Sequence, residues 1–184
     1  MTKDSGMIIT ADMLESLRLH LRTPDLQVIA RTEWGSQNSA HRELIHKERD
    51  SFLQNSPTKL HSSIAHTHGM GVLVLSKHAV GVDAEVSSRV QEKVIARVSS
   101  PEDVQAAPNA ASLWVAKEAT FKALRPYKQP SVLSDISIGA WVNIDSHTET
   151  FRLNHSISHQ LPSEGVGVCI HFSPFTFGFF VIHS

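Results

Sequence analysis

The sequence holds a single cysteine, Cys169, in 184 residues, which excludes an intrachain disulfide and a thiolate zinc cluster. It has no surplus of basic charge: 17 Lys and Arg stand against 18 Asp and Glu, a formal net charge of -1. Duplex-DNA binders usually carry a marked basic excess, so the balance argues against nucleic acid as a partner. No window approaches the ~18 consecutive apolar residues of a membrane span. Residues Met1 to Asp12 contain no apolar stretch of the signal-peptide kind. The expectation is a cytoplasmic protein with no membrane partner.

What is there reads as globular: 41% of residues are hydrophobic and 19% charged. A chain of this length buries on the order of 70% of its unfolded surface. The unusual count is 12 His. His66-Thr67-His68 and His155 with His159 are the closest approaches to zinc-ligand spacing, without a His-Glu-x-x-His signature. Most of these histidines read as ordinary surface or strand residues.

Hydrophobic periodicity gives helices over 11–22, 39–54, 88–98 and 109–124, with Ser100-Pro-Glu-Asp as the cap and first turn of another. Strands are expected at 26–30, 62–67, 70–76, 79–85, 138–144, 148–157, 166–172 and 175–182. Helices and strands do not alternate strictly, so the fold class is α+β with antiparallel hairpins. Two α+β halves, residues 1–78 and 79–184, meeting near Lys77 to Val80, would account for the order.

Two stretches carry chemistry. In Gly81-Val82-Asp83-Ala84-Glu85, strand alternation sends Asp83 and Glu85 to the same side, about 7 Å apart. Such a pair suits either a strand running out into solvent or a site with a cation between the acids. In Leu113-Trp114-Val115-Ala116-Lys117-Glu118-Ala119-Thr120-Phe121-Lys122, Leu113, Trp114, Phe121 and Leu124 form an apolar face at ~100° per residue. Glu118 and Lys122 lie on its rim, and Lys117 falls inside the apolar arc. An i,i+4 surface pair with a snorkelling lysine fits this pattern, and so does a site where a metal meets a phosphate.

Together these two stretches, about thirty residues apart, resemble the paired signature of the 4'-phosphopantetheinyl transferase superfamily. Ser63-Ile64-Ala65-His66-Thr67 is similar to the Ser-His-Ser strand of its larger, surfactin-synthetase-activating type, and Ala40-His41-Arg42-Glu43-Leu44 echoes its arginine helix. The match runs from about Ser62 to Ile138. It implies an intramolecular pseudo-dimer of two similar halves, from which this sequence differs by a shortened N-terminal half. It also implies Mg2+-dependent transfer of phosphopantetheine from coenzyme A to a serine of an apo acyl or peptidyl carrier protein, releasing 3',5'-ADP. By the same resemblance Asp83, Glu85 and Glu118 would hold Mg2+, and Glu118 and Lys122 would act on the reacting groups. His66, Arg42, Lys117 and Lys122 would contact coenzyme A.

The N-terminal half is short, the family's usual Gly-Lys-Pro element is not found before Ser62, and two further features depart from the family pattern. The glycine-containing turn after the helix lysine is replaced by Lys122-Ala-Leu-Arg-Pro-Tyr-Lys-Gln-Pro, and Ala65 stands where serine is common. Other classes compatible with the residues are a non-catalytic relative that binds coenzyme A or a carrier, and a metal-dependent phosphodiesterase or nuclease. Finally, Arg89, Lys93 and Arg97 are spaced i, i+4, i+8, which on one helix makes a basic stripe beside the acidic motif. The expectation is a docking surface for an acidic carrier protein, with the enzyme itself a monomer.

Overall fold

The computed structural model describes residues 9–36, 39–127, 129–154 and 164–183. It is an α+β protein with two antiparallel sheets. Helix α1 (Ala11–His20) leads to strand β1 (Gln27–Arg31), and helix α2 (Ser39–Asn55) leads to β2 (His61–Thr67), β3 (Met70–Ser76) and β4 (Ala79–Val86). Two short helices, α3 (Glu92–Val98) and α4 (Pro101–Ala106), precede the longer α5 (Ala110–Ala123). Strands β5 (Ile138–Asn143), β6 (Thr148–Leu153), β7 (Gly165–Phe172) and β8 (Phe175–Ile182) complete the chain. The first sheet has the order β1-β3-β2 and the second β4-β8-β7-β6-β5. Among the described residues no helix is long and apolar enough to cross a membrane.

Strand parity explains the layers. In β3 every residue is buried because both faces are covered. Val72 and Val74 join a core between the two sheets, and Leu73 and Leu75 pack with Trp34 and Ile45 of the α2 side. Strand β8 divides the same way: Phe177, Phe179 and Val181 enter the inter-sheet core, and Phe180 and Ile182 enter the core under α5. Strands β3 and β4 are joined by Lys77 and His78 alone.

Helix α5 starts where Asn109 caps it, its side chain accepting from the Ser112 amide at 2.9 Å. It ends before Pro126, and the Gln129 side chain donates to the Phe121 carbonyl at 2.6 Å. The apolar face expected from Trp114 and Phe121 is not the one that packs deepest. Those two are half-buried, while Ala111, Leu113, Val115, Ala116, Ala119 and Ala123 are buried. The reason lies in the sheet beneath. A Cβ on Gly81 of β4 would stand 1.9 Å from the Ala119 carbonyl oxygen, and one on Gly178 of β8 would stand 2.5 Å from that of Val115. Two strand glycines and small helix residues let α5 sink onto the sheet, so the helix is covered over most of its girth.

The expected single helix over 88–98 is broken. Ser87–Arg89 is a 3-10 turn, and Val90 and Gln91 are extended (φ -78, ψ 110 and φ -96, ψ 135) before α3 begins. Val90 packs on the core under α5, and a β-branched residue holds that extended link readily. Arg89 therefore leaves the row, and only Lys93 and Arg97 remain one helical turn apart on α3, both exposed. The expected strand over 148–157 is seen through Leu153; residues 155–163, with His155 and His159, lie outside the described residues.

Gly81→Ala should force α5 off β4, because the obstructing atoms are backbone. A loss of about 1–3 kcal/mol or more in urea unfolding is expected, whereas Gly69→Ala, at a turn with φ 77, should cost only its backbone strain.

Candidate functional site

Asp83 and Lys122 meet where β4 lies under α5. Lys122 Nζ is 2.7 Å from Asp83 Oδ1 and also donates to the Val82 carbonyl at 3.0 Å. Both side chains are largely covered, at 12% and 15% exposure. Burial pushes the Asp83 carboxyl up to about 6 against the pull of Lys122, and repulsion from Glu118 adds to the rise. Glu118, one helical turn before Lys122, is half-buried within electrostatic reach of Asp83. The rim placement of Glu118 and Lys122 is as their helical spacing predicts.

Glu85, two residues along β4, engages a different neighbour. Its Oε1 accepts from Thr67 Oγ1 of β2 at 2.6 Å and from the Val86 amide at 2.7 Å. Asp83 and Glu85 thus share strand parity, but one is tied to α5 and the other to the first sheet. Beyond Glu85 the chain is pinned by a polar relay. Ser87 Oγ lies 2.8 Å from Thr176 Oγ1, Thr176 Oγ1 lies 3.2 Å from His171 Nδ1, and His171 Nε2 lies 3.2 Å from Glu149 Oε2.

On the other face of β2 sits His66. The Trp34 carbonyl can only accept, so His66 Nδ1 carries the proton and donates to it at 3.0 Å, leaving Nε2 for a ligand. Burial lowers the His66 pKa, and Arg42, His46 and Lys122 lower it further. His66 lines a cavity of about 250 Å³ together with His46, Arg49, Arg125, Ser62 and Ser63. Four cationic or protonatable side chains and the Ser62 hydroxyl make this an anion-seeking recess, in which Arg49 is also held by Asp50 at 2.6 Å. Arg42 is exposed on α2; its guanidinium donates to the Ser36 carbonyl at 3.4 Å, and it reaches His66 only through its field.

Lys117 is elsewhere. It is fully buried, with Nζ 2.9 Å from Asp103 Oδ2 of α4 and donating to the Ile136 carbonyl. Ser137 Oγ donates to the other Asp103 oxygen at 2.7 Å, and Asn154 donates to Ser137 Oγ at 2.9 Å. Its place inside the apolar arc thus marks a buried ion pair that ties α5 to α4 and to the start of β5. A direct contact from Lys117 to coenzyme A has no support in this geometry.

Among the described residues no three of His, Cys, Asp and Glu close on one point as a metal cage. Mg2+ does not require one: it commonly takes one or two carboxylates, several waters and substrate phosphates. Asp83, a desolvated carboxylate repelled by Glu118, and Glu85, whose bonds among the described residues are made by Oε1, are hard oxygen donors of that kind. The donor set fits such an ion. The residues that sequence reasoning missed are Thr67, His46, Arg49 and Arg125. Thr67 could have been noticed from its parity opposite His66 on a strand, but the other three come together only through the packing of α2 beside the loop after α5. No protein-family model and no curated protein matches this sequence.

Two outcomes follow. Lys117→Met alone should destabilise the protein by about 3–5 kcal/mol in denaturant unfolding, because it strands a buried carboxylate, and Lys117→Met with Asp103→Leu should recover most of that loss. The second concerns pH. The Asp83 pKa is about 6 in the folded chain against 3.8 for an ordinary aspartate. The folded state therefore binds the extra proton between these values. Its stabilising contribution is full below the lower value and is lost as pH rises through the upper one. The stability of Asp83→Asn relative to wild type should accordingly climb between pH 4 and pH 6.5, as read by urea titrations.

Proposed function

We propose that the protein is a Mg2+-dependent 4'-phosphopantetheinyl transferase that moves phosphopantetheine from coenzyme A to a serine of an apo carrier protein. The observation that carries the reading is the pairing of Lys122 with Asp83 beside further acids, with a separate basic recess in the same protein. Asp83, Glu118 and Glu85 form the acidic side; His66, His46, Arg49 and Arg125 line the recess, where Lys122 acts on His66 through its field alone and more weakly than Arg42 and His46. Coenzyme A, a pyrophosphate ester with a further 3'-phosphate, calls for such a division between an acidic metal side and a basic phosphate side. The resemblance of the acidic and helix motifs to the transferase superfamily points the same way.

In this reading His66 Nε2, Arg125 and Arg49 bind the 3'-phosphate end, and the Arg42 field strengthens that hold. Lys122 leaves Asp83 to meet the pyrophosphate, where its ammonium offsets charge gathering on the phosphoryl oxygens. Glu118, half-buried beside a like charge, takes the proton from the attacking serine hydroxyl. Mg2+ held by Asp83, Glu85 and Glu118 would polarise the pyrophosphate and stabilise the departing phosphate. Lys117 serves by fixing the rotation of α5 rather than by touching the substrate.

The two antiparallel sheets, facing each other along β2 and β4, support reading residues 1–78 and 79–184 as two halves of a pseudo-dimer. A seam formed within one chain makes a monomer sufficient. Lys93 and Arg97 on α3, with Arg89 on the preceding turn, offer cations to an acidic carrier.

The deciding experiment is incubation with Mg2+, coenzyme A and a panel of apo acyl and peptidyl carrier proteins, read by intact mass. A phosphopantetheine adduct is expected on at least one carrier, absent with Asp83→Ala or Glu118→Ala and about ten- to a thousandfold slower with Lys122→Ala. Undiminished transfer in excess EDTA would overturn the metal role. Coenzyme A binding without any adduct would favour the non-catalytic reading, which the altered loop after Lys122 makes the natural second choice.

A further inference from the structure

The geometry points to Thr67 as a positioning residue for the metal: its hydroxyl occupies one oxygen of Glu85 so that the other is presented as a ligand. The inference rests on the metal role proposed for Glu85 and extends it to the first sheet. Thr67 is itself immobilised. It pairs with Met70 at the end of the β2-β3 hairpin, closed by Gly69 at φ 77, and its carbonyl accepts from the Ser36 amide at 2.9 Å. Only 3% of Thr67 is exposed, so its hydroxyl has little water to turn to.

At 2.6 Å the hydroxyl donates to a charged acceptor, in the range of the stronger, charge-assisted bonds. The Val86 amide supplies a second donor to the same atom at 2.7 Å. Two donors on Oε1 use its lone pairs and fix the carboxylate plane, leaving Oε2 for a cation. Ligating carboxylates held by such outer hydrogen bonds bind metal more tightly than free ones, because the ion need not order them. Thr67 belongs to β2 and Glu85 to β4, strands of different sheets. The metal affinity therefore depends on how the two sheets meet. Ser63, on the same side of β2, makes the companion tie, its Oγ accepting from the Val82 amide at 3.1 Å.

The test uses Mn2+ alone as the probe, with binding followed by electron paramagnetic resonance and calorimetry on the full chain. Wild type should bind, Glu85→Gln should bind weakly, and Thr67→Val should raise the Mn2+ dissociation constant about tenfold. Thr67→Ser, which keeps the hydroxyl, should return it to within about twofold of wild type. Melting temperatures measured without metal separate packing loss from ligand positioning, and Thr67→Ala replaces Thr67→Val if the latter does not fold. Wild-type Mn2+ affinity in Thr67→Val, or equal weakness in Thr67→Ser and Thr67→Val, would overturn the role of Thr67 alone. No Mn2+ binding by wild type, or binding indifferent to Glu85→Gln, would overturn the metal reading itself and this inference with it.

Discussion

The close seating of α5 on β4 and β8 is the constraint on which the rest depends. Gly81 and Gly178 lack the side chains that would hold the helix away, and helix carbonyls occupy that space. A helix lying this near the strand brings Lys122 within 2.7 Å of Asp83 and sets Glu118 beside it. The rotation of the helix about its own axis is fixed from the opposite side. There Lys117 is held by Asp103 and the Ile136 carbonyl, inside a region too dry for that charge to stand alone. Depth and rotation together determine where Glu118 and Lys122 point.

Electrostatically the consequence is a carboxylate that cannot rest. Asp83 is desolvated, attracted by Lys122 and repelled by Glu118, and desolvation wins. A group in that condition gains from any added cation, whether ammonium, proton or metal. Lys122 also acts, through its field alone, on His66, in a recess where every titratable lining group is basic. A phosphate bound there would favour protonated His66, opposing the burial and the neighbouring Arg42, His46 and Lys122 that lower its pKa. Perturbed groups of this kind collect at functional sites, and structural ion-pair networks such as Lys117 with Asp103 also gather charges away from water.

Much of the fold was legible because strand and helix periodicities were clean. Strands β3 and β8 fall where alternation and turn residues place them, and α5 differs by one residue at each end. The rim positions of Glu118 and Lys122 followed from helical spacing alone. What failed did so for identifiable reasons. The run from Ser88 to Val98 has helical charge spacing throughout, but Val90 is claimed by the core under α5, and tertiary packing overrides local pattern there. Lys117 was visible as an oddity, yet its partner Asp103 lies on another helix and no local signal connects them. The same holds for Thr67 and Glu85, eighteen residues apart on strands that are not ladder partners. Long-range polar pairs are selected by topology, which a single sequence specifies only through the whole fold.

The seam between the sheets explains why polar side chains rather than ladder bonds occupy it. Strand β4 is the edge of its sheet, and an edge leaves backbone donors without partners. Burying that edge against β2 requires something to satisfy them, and Ser63 does so for the Val82 amide. Continuous pairing of β2 with β4 would have merged the two sheets into one. A serine and a threonine two turns of the pleat apart tie β2 to β4 through side-chain bonds in place of a ladder. Thus the solution to an edge-strand problem also fixes Glu85, an acid of one sheet whose carboxylate is held by a hydroxyl of the other.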